Sequence, residues 1–215
     1  MIRATLAALF CFAAAPGFAQ TADEVPLVDV LTILEVDGKL LAIDAKSGGE
    51  LELDLRLGER VAWKVAQGRV GMALTDQRIL AVAVASGTWQ ELDRQNGEEV
   101  AGHALLGDRV ALLVTSRRAI GYDGGSRNLV QASLGLREEV VAARAGRNVA
   151  VIVTNRRALG LSPAVGGFFA TTVQLGERLE RIDVESNLAT LTMNHRLLIF
   201  RSPTGSWESR LRELR

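Results

Sequence analysis

The feature that most constrains this chain is its similarity to itself. Thr75-Asp-Gln-Arg78, Thr115-Ser-Arg-Arg118, Thr154-Asn-Arg-Arg157 and Met193-Asn-His-Arg196 form one column, with Val36-Asp-Gly-Lys39 as a more divergent member. The basic residues that close these segments stand at 39, 78, 118, 157 and 196, in steps of 39, 40, 39 and 39. Gly58-Glu59, Gly97-Glu98, Arg137-Glu138 and Gly176-Glu177 keep the same step. Gly68, Gly107 and Gly146 recur as well, with Ser186 in the last copy. A repeat of this length is a supersecondary unit that buries its apolar face only against a neighbour, so the copies must stack.

Within a copy the pattern is that of short strands. Val110-Ala-Leu-Leu-Val-Thr115 and Val149-Ala-Val-Ile-Val-Thr154 are apolar, rich in β-branched residues and bounded by turn residues. The second copy divides into Val61–Ala66, Arg69–Thr75, Arg78–Ala85 and Trp89–Asp93, with Gly, Asp, Asn or Ser between segments. Helical periodicity is absent. The inner strands are apolar on both faces, as strands are when sheets stack face to face. Four antiparallel strands in about 39 residues fit a β-propeller blade. A β-trefoil uses units of similar size but closes with three.

The expectation is therefore an all-β, five-bladed β-propeller over residues 20–215, with blades at about 22–57, 58–96, 97–136, 137–175 and 176–215. Val25 to Lys39 is shorter than the matching Val61 to Arg78, which predicts a shortened or missing first hairpin.

Composition narrows the role. The chain is 48% hydrophobic and 23% charged, which excludes intrinsic disorder. Twenty-five basic residues balance 25 acidic ones, so no nucleic-acid footprint is expected. Cys11 is the single cysteine, which removes disulfides and Cys-ligated metal. Residues 1–19 read as a signal peptide: Arg3, an apolar run from Ala4 to Pro16, then Gly17-Phe-Ala19 as a cleavage site. That run falls short of the roughly 20 residues a membrane-spanning helix needs. Cleavage near Ala19 predicts a periplasmic or secreted protein with no transmembrane segment.

One segment carries a resemblance. Leu41-Ala-Ile-Asp-Ala-Lys-Ser-Gly48 resembles the blade signature of the pyrroloquinoline-quinone-type repeat. It covers one blade, carries an extra Gly49 and has Glu52 where that family usually has Trp, so no quinone and no other cofactor is expected. In size the chain is similar to the five-bladed tachylectin-like lectins. The WD40 signature is absent.

The polar columns are read as structural. Arg78, Arg118, Arg157 and Arg196 fall on the turn between a blade's second and third strands, and Glu59, Glu98, Glu138 and Glu177 on the linker at the same face. Inter-blade ion pairs follow, since a guanidinium can hold a carboxylate and a carbonyl together. The alternative is a ring of arginines that binds an anion. Trp89 and Trp207 share a column and are either outer-strand packing or sugar-stacking platforms. His103 and His195 occupy unlike positions without a recurring acid, and no nucleophile elbow or metal spacing occurs, so no catalytic or metal residue is expected. Loops of two to four residues leave little room for a pocket. The function expected is a non-enzymatic module that binds or assembles another envelope or secreted protein. The alternative is a small carbohydrate-binding lectin, with a hydrolase third.

Overall fold

The computed structural model describes residues 29–100 and 102–212. The signal-peptide reading and the start of the first blade lie outside the described residues. What is described is all-β, and the repeat maps one sheet to each copy. The first sheet is β1 (Leu31–Val36), β2 (Lys39–Asp44) and β3 (Glu50–Asp54). The second is β4 (Val61–Gln67), β5 (Val70–Thr75), β6 (Arg78–Ala83) and β7 (Gln90–Asp93). The third is β8 (Leu105–Leu106), β9 (Val110–Val114), β10 (Arg118–Asp123) and β11 (Asn128–Ser133). The fourth runs β12 (Val140–Ala145), β13 (Ala150–Thr154), β14 (Arg157–Ser162) and β15 (Gly167–Thr172). The fifth runs β16 (Leu179–Val184), β17 (Leu188–Met193), β18 (Arg196–Arg201) and β19 (Ser206–Leu211).

Each sheet is an antiparallel meander in chain order. The first sheet has three strands among the described residues, and the place of its expected first strand lies outside them. One departure corrects the uniform four-strand expectation: β8 has two residues where β4, its counterpart in the second copy, has seven. Gly102, with φ at 84°, breaks the chain just before β8 and leaves Val100 joined to Thr115 by an isolated bridge.

The tight hairpins have a common chemistry. In the Thr-x-x-Arg turns the threonine hydroxyl accepts the amides two and three residues on: Thr75 Oγ1 takes Gln77 N at 3.1 Å and Arg78 N at 2.7 Å, and Thr115 and Thr154 repeat this. The first copy replaces the device with Asp37-Gly38, both at positive φ, a type I′ solution.

Successive sheets are stitched by backbone. Val30 N donates to Gly68 O, Arg69 N to Asp108 O, Arg109 N to Arg147 O and Asn148 N to Ser186 O, at 2.8–3.0 Å. The glycine column therefore slips: Gly68 matches Asp108, one place beyond Gly107 and Gly146. Gly107 and Gly146 have their own reason to be glycine. A Cβ on Gly107 would run into Gly146 O, and one on Gly146 would lie 2.5 Å from Glu185 O.

Four core clusters fill the four junctions, one between each pair of consecutive sheets. A knob-and-socket column recurs through them. Ala42 packs in one cluster with Val82, and Ala81 with Tyr122. A Cβ on Gly121 would meet Leu161 at 2.7 Å, and one on Gly160 would meet Phe200 at 2.5 Å. The fifth copy carries Ile199 in the socket position, with Thr190 and Thr192 where the fourth has Val151 and Val153. Its outward face is thus more polar than the interior ones. At the other end Leu34 is 41% exposed, whereas its counterparts Ala73, Leu113, Ile152 and Leu191 are buried.

Candidate functional site

The best-specified polar feature is a network repeated four times on the linker face. Arg78 donates through Nε to Glu59 Oε1 at 2.9 Å and through Nη2 to Glu59 Oε2 at 2.5 Å and Asp54 O at 3.2 Å. Thr75 Oγ1 donates to the same carboxylate at 2.6 Å, and the Arg56 amide donates to it at 2.7 Å. Arg118 holds Glu98 and Asp93 O, Arg157 holds Glu138 and Ser133 O, and Arg196 holds Glu177 and Thr172 O in the same way. The accepting carbonyl belongs to the last residue of the preceding sheet's last strand, and the carboxylate to the linker. Each arginine therefore fastens the end of one sheet to the start of the next. Lys39 has no such linker partner among the described residues and pairs within its own sheet, with Glu52 at 2.8 Å and Asp54 at 3.6 Å.

Burial and charge act against each other at these carboxylates. Loss of water would raise the Glu59 pKa, but hydrogen bonds from Arg78, Thr75 and the Arg56 amide outweigh it and bring it down to about 2. Glu98, Glu138 and Glu177 are held below the ordinary carboxylate value for the same reasons. In each network Nε and Nη2 are spent on the linker carboxylate and the neighbouring sheet's carbonyl, which favours the fastening role over a ring of anion-binding arginines.

The same linkers carry a second repeated feature. Arg56-Leu-Gly-Glu59, Gln95-Asn-Gly-Glu98, Gly135-Leu-Arg-Glu138 and Gln174-Leu-Gly-Glu177 are equivalent turns. Each is closed by a bond from the glutamate amide back to the first residue, with the third residue at positive φ. The glutamate side chain also caps the first residue's amide, so the second residue is pushed outward. In three turns that residue is leucine, and Leu57, Leu136 and Leu175 are 103%, 87% and 106% exposed. The 39-residue spacing was visible in the sequence; the outward direction was not.

A further feature lies where short loops were expected to leave little room for a pocket. Where β8 is cut short, a cavity of about 460 Å³ opens between the third and fourth sheets. Leu105, Leu112, Val114, Leu134, Val140 and Ala143 form its apolar walls, and Glu99, His103, Thr115, Ser116 and Glu138 its polar edge. His103 is exposed and meets Trp63 edge to face, with ring centroids 5.5 Å apart. A polar hollow of about 330 Å³ around Asn96 shares Glu99 with the larger cavity.

The two tryptophans of the candidate stacking column face inward. Trp89 is buried and its Nε1 donates to Leu51 O at 3.0 Å. Trp207 is half-buried, donates to Phe169 O at 2.8 Å and lies against Phe200 with centroids 5.0 Å apart. Each pins its own outer strand to the preceding sheet, a packing use that leaves little ring for a sugar. His195 stays at its turn tip, far from His103 in the repeat. Among the described residues no group of three or more His, Cys, Asp or Glu gathers as metal ligands, and no helix is long and apolar enough to cross a membrane.

Neither a family model nor any of the curated proteins compared with the chain matches it. Solved structures do. Yeast RCC1 (Prp20), crystallised with Kap60, is similar over 82% of this chain at 11% identity, with a TM-score of 0.43. The chain spans 55% of that protein's length. PorZ of Porphyromonas gingivalis, a bacterial surface component of the type-IX secretion system, is similar over 86% of this chain and 27% of its own, at 14% identity and a TM-score of 0.39. The WD40 domain of SCAP from fission yeast covers 86% of this chain and 56% of its own, at 10% identity and a TM-score of 0.37.

Proposed function

We propose that the five sheets are the blades of a β-propeller, and that the chain is an exported, non-enzymatic module that binds another protein through its linker face. The observation that carries this reading is the set of three leucines held outward on equivalent turns. Scattered exposed leucines are ordinary. A column of them, on turns held by a glutamate that caps the first amide and pairs with an arginine of the next sheet, is a preorganised contact surface. Burying one leucine side chain is worth about 1.5–3 kcal/mol, and a surface already ordered loses little entropy on binding.

The triple change Leu57→Ser, Leu136→Ser and Leu175→Ser tests it. These side chains touch the rest of the fold little, so circular dichroism and melting should be near those of the parent. Proteins crosslinked to the tagged parent in its native envelope should be lost from the triple variant. Retention of the same crosslinked partner by a folded triple variant would overturn the reading. Mass spectrometry of the exported product should find Gln20 at the N-terminus, and an intact Met1 would remove export from the proposal.

A further inference from the structure

The partner's chemistry can be taken one step further, and this step rests on the protein-binding reading above. On the linker face, charges outside the four fastening networks are unbalanced. Arg60, Arg94, Arg117, Arg137, Arg156 and Arg178 carry six positive charges without an ion-pair partner, against Asp37, Asp76, Glu99 and Glu139, so the balance is 6 − 4 = +2. The backbone fixes them to one surface. Asp76 N bonds to Arg60 O, Ser116 N to Glu99 O, Asn155 N to Glu139 O and Asn194 N to Arg178 O, so every turn tip is tied to its linker. Five of the six arginines are exposed; Arg94 is half-buried, and its Nε is a buried donor without an acceptor.

Against this basic surface lies the apolar cavity between the third and fourth sheets. Its lining includes Glu99 from the linker that carries Asn96 in place of leucine, and Leu134 and Glu138 from the linker that carries Leu136. Ser116 on its edge precedes Arg117, and Leu134 in its wall accompanies the turn under Arg156. Cavities of about 300–1,000 Å³ with apolar walls and a few polar groups at the mouth are the ordinary form of a binding pocket. Of the two carboxylates at the mouth, Glu138 is neutralised by Arg157, and Glu99 opposes an acidic ligand at that point.

We propose that the linker face binds an acidic protein segment, and that one of its bulky apolar side chains enters the cavity walled by Leu105, Leu112, Leu134, Val140 and Ala143. Carboxylates flanking that side chain meet Arg117 and Arg156. The arrangement gives a central apolar anchor and a charged rim, which is where binding energy and steering respectively reside in protein interfaces.

Two capped synthetic peptides serve as probes, read by fluorescence anisotropy on the full-length mature protein. One has a central phenylalanine among glutamates, and the other replaces every glutamate with lysine. The acidic peptide should bind, and its affinity should fall with added salt, while the basic peptide should not bind. Ala143→Phe, which fills the cavity, should weaken binding by roughly tenfold or more, the equivalent of one anchor side chain. Val140→Asp at the exposed mouth provides the same test where the fill disturbs folding. Arg117→Glu with Arg156→Glu should weaken binding and flatten its salt dependence. Equal binding of both peptides, or no effect from either cavity variant, overturns the inference. So does binding of phosphatidylglycerol vesicles without peptide binding, which would make the face a membrane contact. If the leucine variant loses its native partner while the acidic peptide fails to bind, the inference falls and the protein-binding reading stands. If the leucine variant keeps its partner, that reading itself fails.

Discussion

The same four-residue network is built twice well covered and twice less so. In the second and third sheets the Arg78 and Arg118 side chains are 4% exposed, while Arg157 in the fourth is 32% exposed and Arg196 in the fifth 12%. One column on the outer strand accounts for the difference. Glu91 accepts Arg78 Nη1 at 2.5 Å, and Gln131 accepts Arg118 Nη1 at 2.7 Å. The fourth copy has Ala170 there and the fifth Ser209, which reaches Arg196 only at 3.3 Å. The fifth copy also has Met193 where the others place the donating threonine. A single side chain laid over the guanidinium thus moves an ion pair from half-exposed to buried, and with it the penalty for leaving one partner alone.

Acting on the covered pairs should have the largest effect. Arg78→Ala or Arg118→Ala strands a buried carboxylate and should destabilise the fold by about 3–5 kcal/mol in denaturant melts. Adding Glu59→Ala to Arg78→Ala should cost less than the sum of the singles, because no charge remains orphaned. An additive result would mean that the pair is not the unit described.

Acid should find the same weak point. A carboxylate whose folded pKa lies below its unfolded value stabilises the fold fully above the unfolded value and loses that contribution as pH falls toward the folded one. For Glu59 the window runs from 4.5 down to about 2, and its contribution is on the order of 3 kcal/mol. Glu98, Glu138 and Glu177 shift in the same direction. Melting temperature should therefore drop through that acid range, and Glu59→Gln should flatten the profile. A parent whose stability is level across the window would contradict the assignment.

The half-exposed pair should respond less. Arg157→Ala is expected to destabilise by about 1–3 kcal/mol, between the exposed and buried cases. Ala170→Gln copies the cover of the third sheet onto the fourth and should recover up to about 1 kcal/mol, the net value of one hydrogen bond. If Ala170→Gln leaves the cost of Arg157→Ala unchanged, the cover does not explain the comparison. The smallest effect belongs to Arg156→Ala at the turn tip, within about 0.5 kcal/mol of neutral. The same change should weaken the acidic peptide measurably, since that side chain is placed in the rim and not in the fastening.

Much of this was legible from residue spacing. The Thr-x-x-Arg and Gly-Glu columns located the turn, the linker and the partners Arg78–Glu59 through Arg196–Glu177, because repetition makes a pairing rule testable within one chain. The strand segments of the second copy also agree with β4–β7 to within about two residues, the usual uncertainty of element ends. What spacing could not give was direction and depth. Leu57, Leu136 and Leu175 look like core residues by type, and only the capped turn turns them outward. The cavity depends on a strand that ends early, a deletion of pairing and not the presence of any residue. The glycine column misled for a related reason: Gly68 is required by its own left-handed backbone and the approach of Asp108, while Gly107 and Gly146 yield to a neighbouring carbonyl one place earlier.

The knob-and-socket column has a consequence for how such a gene could grow. Tandem duplication is easiest when any copy can follow any other, as with identical bricks. Here the receiving position reads Ala42, Ala81, Gly121, Gly160 and then Ile199, and the inserting position reads Ile43, Val82, Tyr122, Leu161 and Phe200. A copy inserted between existing sheets would thus meet alanine or glycine, and one laid against the outward face of the fifth would meet Ile199.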